Sequence, residues 1–152
     1  MIRARLLHES FAADALAADF LATVGPDTGA VVTFLGLARA RSTSGGTVDR
    51  LFLEHHPTMT ERSLQAIAED GARRFPVSAV DVVHRCGSIP PGEPIVWVAT
   101  ASRHRRAAFE AADYLMDRLK TEAVFWKRED GSSGSTWIEP TDDDHSARAR
   151  WE

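Results

Sequence analysis

A long amphipathic stretch, residues 102–121, limits how this chain can fold. Its alanine, leucine and methionine residues recur at helical spacing and cover a wide face, and such a helix is typical of a buried position. Apolar or β-branched segments that favour strands lie on its N-terminal side, at 30–38, 80–85 and 95–101. Because helices and strands mix without a regular strand–helix rhythm, the sequence predicts an α+β fold.

Three helix starts are predicted from capping residues. Ser10 precedes an apolar stripe, T-M-T-E at 58–61 has the spacing of a capping box, and Ser102 precedes the long stretch. Short strands separate these helices. The acidic and basic segment at 139–152 carries no such pattern, so we expect a polar, mobile tail.

Size and composition exclude several classes of protein. The chain has 152 residues, which fits one domain, 1–152, and its net charge of −4 gives no support to a nucleic-acid partner. Cys86 is the only cysteine, so the natural compartment is the reducing cytoplasm. We expect neither a signal peptide nor a membrane span, because no apolar run approaches the required length of roughly 20 residues.

The first turn of the long predicted helix is basic where acids are expected. Residues 103–106 read R-H-R-R, and cations are disfavoured at the positive end of a helix dipole. One interpretation is a solvated turn that pairs with acids elsewhere, such as Asp142–Asp144. The other, which we favour, is an anion site built from free backbone N–H groups and guanidinium groups. Arg39 and Arg41, at the end of a predicted strand, add a weaker signal.

Only two of the 18 lysine and arginine residues are lysines, Lys120 and Lys127. Lys120 ends the long helix, where the dipole favours any cation, but arginine would serve equally well there. A lysine differs from arginine because a dry environment can remove its proton and make it a base or nucleophile. The apolar residues 124–126 supply such an environment. Two functional lysines are therefore the favoured interpretation.

The histidines and the cysteine do not form a recognisable metal motif. The candidate ligands are scattered along the chain: His55, His56, His84, Cys86 and His104. Only His84 and Cys86 share a strand face. We expect Cys86 to be a small buried residue and His84 a satisfied strand histidine. No nucleotide-binding glycine motif and no nucleophile elbow is present.

The length of the predicted helix separates the two candidate sites. Arg105 and Lys120 are 15 residues apart, which corresponds to about 22 Å along a helix. One small anionic substrate cannot touch both side chains in one chain. Either two sites exist, or the helices of a homodimer bring one subunit's Arg105 to the other's Lys120, and we favour this composite site.

Five blocks in order, over most of the chain, resemble the large, catalytic subunit of molybdopterin synthase. They are G-A-V-V-T-F-L-G-L-A-R (29–39), L-E-H-H-P-T-M-T-E (53–61), H-R-C-G-S-I-P-P-G-E (84–93), S-R-H-R-R-A-A-F-E-A (102–111) and M-D-R-L-K-T-E-A-V-F-W-K-R-E (116–129). The resemblance implies an α/β hammerhead-type fold with a mixed or antiparallel sheet, three main helices and a homodimer.

The resemblance also implies a reaction and a partner. A small ubiquitin-like sulfur-carrier subunit binds each protomer, which makes a heterotetramer, and its C-terminal Gly-Gly carries a thiocarboxylate. Two sulfurs pass in turn to cyclic pyranopterin monophosphate and form the molybdopterin dithiolene. No cofactor and no metal is implied for this step.

The family pattern assigns roles to residues of this chain. Lys120 and Lys127 correspond to the catalytic lysines, and Phe34 and Met116 to the channel for the partner's tail. The implied substrate contacts comprise both lysines together with Leu37, Ala38, Arg39, His104, Arg105, Arg128 and Glu129, the histidine and Arg105 coming from the neighbouring subunit. Two positions depart from the pattern: Leu37 stands where the family often has lysine, and His56 where it often has tyrosine.

Two hypotheses therefore stand. The first is a sulfurtransferase whose sulfur comes from a partner protein, so that the enzyme needs no catalytic cysteine of its own. The second is a non-catalytic dimeric module that binds a phosphorylated ligand or a carrier protein. The second would use the same arginines but has no special need for an amine.

Overall fold

Two four-stranded sheets form the framework onto which the helices pack. The computed structural model describes residues 1–132 and 134–152. Its elements are β1 Ile2–Leu7, α1 Ala13–Leu21, β2 Ala30–Leu37, β3 Val48–His55, α2 Met59–Arg74, β4 Val77–Arg85, β5 Gly87–Ile89, β6 Pro94–Ser102, α3 Arg105–Glu122, β7 Phe125–Gly131, β8 Gly134–Ile138 and α4 Asp142–Ala149.

The two sheets differ in strand direction. The first has the order β1-β4-β6-β2, with β1 parallel to β4 and the other pairs antiparallel. The second has the order β5-β3-β7-β8 and is antiparallel throughout. The α+β prediction with a mixed and an antiparallel sheet is confirmed. The residues G-S-S-G at 131–134 favour the turn of a hairpin, and Ser133 within them lies outside the described residues.

The long helix α3 is buried, as its wide apolar face predicts. Ala108, Ala111 and Leu115 have no accessible surface, and the same apolar cluster contains Val80 and Val98 of the first sheet. Helix α2 packs into this cluster from the same side of the sheet. The alanines leave room for α3 to lie close to the strands, so the helix axis is held along the sheet.

The other face of the first sheet carries a second core. Phe20 of α1 and Trp97 of β6 are buried there, with ring centroids 6.1 Å apart in an edge-to-face arrangement. The first sheet is therefore covered on both faces. No helix in the described part of the chain is long and apolar enough to cross a membrane.

Two predicted helix starts are wrong. Ser102 is the last residue of β6, and its hydroxyl donates to the Pro76 carbonyl at 2.8 Å. Helix α3 begins at Arg105 instead, and no side chain caps it. Helix α1 begins at Ala13 and not directly after Ser10. Both serines have the right chemistry for a cap, but strand pairing and packing decide where the backbone turns into a helix.

Helix α2 begins where expected, but the predicted capping box does not form. Thr58 occupies the N-cap position without a side-chain cap. The Nδ1 atom of His56 accepts from the N–H groups of Thr58 and Met59 at 3.2 and 3.1 Å. An imidazole nitrogen upstream of the helix thus satisfies the Thr58 N–H, which Glu61 would satisfy in a capping box, together with the N–H of the first helical residue.

The acidic and basic tail forms a fourth helix that the sequence did not predict. Thr141 and Asp144 form a capping box at the start of α4. Arg150, just beyond the helix, binds Asp113 and Asp117 of α3 at 2.6 and 2.9 Å. These contacts hold α4 along α3, and α4 begins near the C-terminal end of α3.

Trp151 anchors the end of this tail. Its indole N–H donates to Asp117 at 2.7 Å, and its ring meets Phe75 and Tyr114 edge-on, with centroids 5.8 and 5.6 Å away. Arg74 donates to its carbonyl. A tryptophan with an apolar body and a satisfied N–H is well suited to such a half-buried position.

Replacing Trp151 by alanine should destabilise the protein. We expect Trp151→Ala to lower the free energy of unfolding by about 2 kcal/mol, because it removes the ring contacts and leaves Asp117 with one donor fewer. Trp137→Ala is the matched control, since that side chain is 55% exposed. Equal losses in urea denaturation of the two variants would contradict the docking of the tail.

Candidate functional site

Strand and helix directions bring two basic groups to one end of the first sheet. β2 runs antiparallel to β6, so that β2 begins opposite Ser102 and ends opposite Pro94. α3 follows β6 and runs back along the sheet. The C-terminal ends of β2 and α3 therefore lie at the same end of the molecule, and they carry Arg39 and Lys120 respectively.

β7 adds a second amine to this end. Lys127 lies opposite the buried Leu53 of β3 and opposite Ile138 of β8. It is half-buried, and Glu129 lies two residues further along the same strand face. The apolar neighbours of the strand thus keep water away from much of the Lys127 side chain.

The charges around Lys127 show which groups are close to it. Burial lowers the pKa of the Lys127 ammonium, and the nearby cations Lys120 and Arg39 lower it further, whereas Glu129 and Asp144 oppose the shift. A lysine with a lowered pKa loses its proton more easily than a surface lysine. We call Arg39, Lys120, Lys127 and Glu129 the amine cluster.

Helix α4 supplies an acid to the amine cluster. An Asp144 oxygen lies 3.9 Å from the Lys120 nitrogen, whose side chain is 57% exposed. Partial burial would raise the pKa of Asp144, but hydrogen bonds from Thr141 and the charge of Lys120 outweigh burial and lower it. Sequence reasoning missed this role. The capping-box spacing of Thr141 and Asp144 was the signal that could have placed the acid on a helix.

His104 and Arg105 lie at the opposite end of α3. Both are exposed, and the first turn of the helix contains no acidic residue. Within the described residues neither side chain has a hydrogen-bond or ion-pair partner. The proposed pairing with Asp142–Asp144 is wrong, because that segment begins α4 beside Lys120. The observed helix keeps Arg105 and Lys120 about 22 Å apart.

Arg128 is not part of the amine cluster within one protomer. It alternates with Lys127 and points to the other face of β7. Its guanidinium binds Asp130 at 2.8 Å and lies over the rings of Phe52 and Trp137, 4.9 and 5.5 Å from their centroids. Arg128, followed by Ser135 and Arg50, holds the pKa of Asp130 below its usual range. Its predicted substrate contact stays a prediction.

The two residues before Arg39 differ in their surroundings. Leu37 is half-exposed, whereas Ala38 is buried. The N–H of Ala38 donates to the Glu93 carbonyl at 2.9 Å, and its carbonyl accepts from Gly92 at 2.7 Å. The tight turn before β6 therefore holds the backbone from which Arg39 extends.

Phe34 and Met116, predicted to line a channel, lie on the same side of the first sheet. Phe34 of β2 is 41% exposed and shares a strand face with Val32. Val32 and Met116 both pack at the margin of the cluster beneath α3. The channel itself stays a prediction.

His84 is a satisfied strand histidine and Cys86 is buried, as the sequence predicts. The ring of His84 stacks on Phe125 at 4.2 Å, and its Nδ1 atom lies 2.9 Å from the Arg85 carbonyl. Burial lowers the pKa of His84 to about 4, against a weaker opposing effect of that hydrogen bond. His84 is therefore neutral near pH 7, and the Cys86 side chain is buried.

Comparison with known proteins adds the family context. A family model described as MoaE protein matches residues 6–122. The molybdopterin synthase catalytic subunit of Caulobacter vibrioides is 52% identical over 126 residues, which cover 83% of this chain and 82% of the relative. The corresponding subunit of Pseudomonas aeruginosa is 48% identical over 124 residues, with 82% of each chain covered.

A solved structure resembles the fold as a whole. The molybdopterin biosynthesis MoaE protein from Burkholderia ambifaria superposes with a TM-score of 0.82 at 39% identity. The match covers 99% of this chain and 98% of that one, so it includes the region of α4.

The electrostatic environment of Lys127 predicts opposite shifts in two variants. Glu129→Gln should lower the pKa of Lys127 further, because an attractive charge is lost, and Arg39→Ala should raise it, because a repulsive charge is lost. With two lysines in the chain, the titration can be followed by ¹³C NMR of lysine-labelled protein. Asp27→Asn, in the loop after α1, is the control. Shifts of the same sign in both variants would contradict the cluster.

Proposed function

The chain belongs to the MoaE protein family, and from this membership and the amine cluster we propose that it transfers sulfur as the catalytic subunit of a molybdopterin synthase. The relatives that bear this name match more than four-fifths of the chain. The proposed sulfur donor is the C-terminal thiocarboxylate of a small carrier protein ending in Gly-Gly. The proposed acceptor is cyclic pyranopterin monophosphate, and the proposed compartment is the cytoplasm.

The observation that carries this proposal is the meeting of the chain's two lysines. In an otherwise arginine-based set of cations, Lys120 lies close enough to Lys127 to lower the pKa of its ammonium. A site that only had to bind an anion would work equally well with arginine. An amine that can give and take a proton suits a reaction in which a sulfur anion attacks carbon.

The two amines differ in exposure, which suggests different tasks. Lys120 is exposed and remains beside Asp144, so it presents a positive charge that can orient the thiocarboxylate. Lys127 is half-buried with a lowered pKa, so it is the better group to exchange a proton. As the sulfur bonds to the acceptor carbon, an oxygen leaves that carbon as water. A second water then hydrolyses the carbon–sulfur bond to the carrier, which leaves as a carboxylate.

The substrate phosphate is assigned to the neighbouring subunit. His104 and Arg105 are exposed, uncompensated by acids and too far from Lys120 in their own chain. In a two-fold dimer, the contact surface is shared, so each subunit's basic helix start can face the other's amine cluster. Such a composite site uses both ends of α3.

Exposed apolar residues on the edge strand β2 and on α3 support contacts with other chains. β2 is an edge strand of the first sheet, and its Phe34, Leu35 and Leu37 are 41%, 39% and 50% exposed. Phe109 of α3 is 61% exposed. Exposed apolar residues on an edge strand are typical of a covered surface. We assign Phe34, with Met116, to the carrier's tail.

Exchanging each lysine amine for a guanidinium tests whether the site needs a titratable amine. The sulfurtransferase needs one, whereas the alternative, a non-catalytic binding module, does not. Lys120→Arg and Lys127→Arg keep the charge but remove the titratable amine. We expect each to lower the rate of sulfur transfer from thiocarboxylated carrier at least about 100-fold. Arg62→Lys, on the exposed face of α2, is the reverse exchange and should be neutral. Near-full activity of both lysine variants would contradict the role assigned to the titratable amines.

The composite site predicts complementation between two inactive proteins. Arg105→Ala damages the phosphate end and Lys120→Ala the amine end. After random subunit exchange, half of the dimers are mixed and each mixed dimer has one intact site, so about one quarter of wild-type activity should return. If no activity returns after native mass spectrometry has verified subunit exchange, the composite site is contradicted.

A further inference from the structure

Three strand ends bring together side chains that are far apart in the sequence. His8 follows the last residue of β1, His55 is the last residue of β3, and Cys86 lies between β4 and β5. The N–H of Cys86 donates to the Leu7 carbonyl at 2.9 Å, which holds His8 beside the thiol. The pairing of Leu53 with Gly87 brings the end of β3 to the same place.

The distances among these side chains suit one small cation. The Cys86 sulfur lies 3.4 Å from Nδ1 of His8, and the rings of His8 and His55 are 5.0 Å apart and nearly perpendicular. One ligand atom from each residue lies within 4.8 Å of the other two. In a tetrahedral zinc site, bond lengths of about 2.3 Å to sulfur and 2.0 Å to nitrogen separate these atoms by about 3.5 Å. Only small side-chain rotations are needed.

The donor types select the class of metal. One thiolate and two imidazoles are ligands for Zn²⁺ or Co²⁺ and not for Mg²⁺ or Ca²⁺, which prefer oxygen. Cys86 is buried, His55 half-buried and His8 exposed. A cation can therefore approach from the His8 side, and three protein ligands leave a fourth position for water.

A bound cation would also compensate the negative charge of a Cys86 thiolate, whose side chain is buried. The scattered positions of these residues concealed the group, because His8 and His55 are separated by two strands and a helix.

We propose that His8, His55 and Cys86 form a binding site for a single Zn²⁺-class ion at the junction of β1, β3 and β4. The site is distinct from the amine cluster and does not depend on the proposed sulfur transfer. Leu53, which lies opposite Lys127, is two residues before His55, so the ion ties together strands that support the active-site strand.

The test uses the purified full-length chain, stripped of metal and titrated with Co²⁺ and Zn²⁺. We expect one equivalent of Co²⁺ to bind with a thiolate charge-transfer absorption band, and Zn²⁺ to displace it and raise the Tm. His8→Ala should weaken binding at least about tenfold. Cys86→Ser should abolish the charge-transfer band. His145→Ala, which alters an exposed histidine of α4, is the matched control and should bind as the wild type does.

The outcomes separate a built site from incidental surface binding. Absence of the thiolate band in the wild type, or equal affinities in the wild type and His8→Ala, would overturn the proposal. Because His8 is exposed, its variant should keep the native circular dichroism spectrum even if a Cys86 variant fails to fold. Loss of binding in His8→Ala and His55→Ala, with retention in His145→Ala, supports the three-residue site.

Discussion

The burial of α3 against the first sheet is the constraint on which the rest of the structure depends. Ala108, Ala111 and Leu115 leave no gap between helix and strands, so the direction of the helix is fixed by β6, which precedes it. Its length then sets the distance between its basic start and Lys120. A single protomer therefore has positive charge at both ends of one rigid element and no means of bringing them together. This rigidity makes a shared site a geometric requirement if both ends serve one substrate.

The amine cluster is assembled by contacts distant in the sequence, and this explains why only part of it could be predicted. Both lysines could be selected from composition and from the apolar segment next to them. The capping-box spacing could place Asp144 on a helix but not beside Lys120, because the docking of that helix depends on the contacts of Arg150 and Trp151 with α3. Those contacts exist only once α3 is in place. The apolar residues 124–126 similarly indicated a dry environment for Lys127, but not that Arg128 would pair with Asp130 on the opposite face of β7.

The helix starts show the same limit at a smaller scale. A serine or threonine before an apolar stripe has the chemistry of a cap, yet Ser102 serves as a strand residue because its hydroxyl binds Pro76. At α2 the predicted boundary was correct, but His56 supplied the acceptor. Local patterns thus located elements well, whereas the choice among nearby polar groups was made by tertiary contacts.

His56 stands where the family often has tyrosine, and this difference affects the residues that support the site more directly than it affects substrate contacts. The His56 N–H donates to Thr60 Oγ1 at 2.8 Å, and the buried Thr60 hydroxyl donates to the Val124 carbonyl at 2.6 Å. Ser63 accepts from the Val124 N–H at 3.1 Å. These hydrogen bonds hold the start of α2 against Val124, which lies directly before β7 and three positions before Lys127. A change of side chain at position 56 acts on the cap of α2, and through α2 on the strand that carries the half-buried amine.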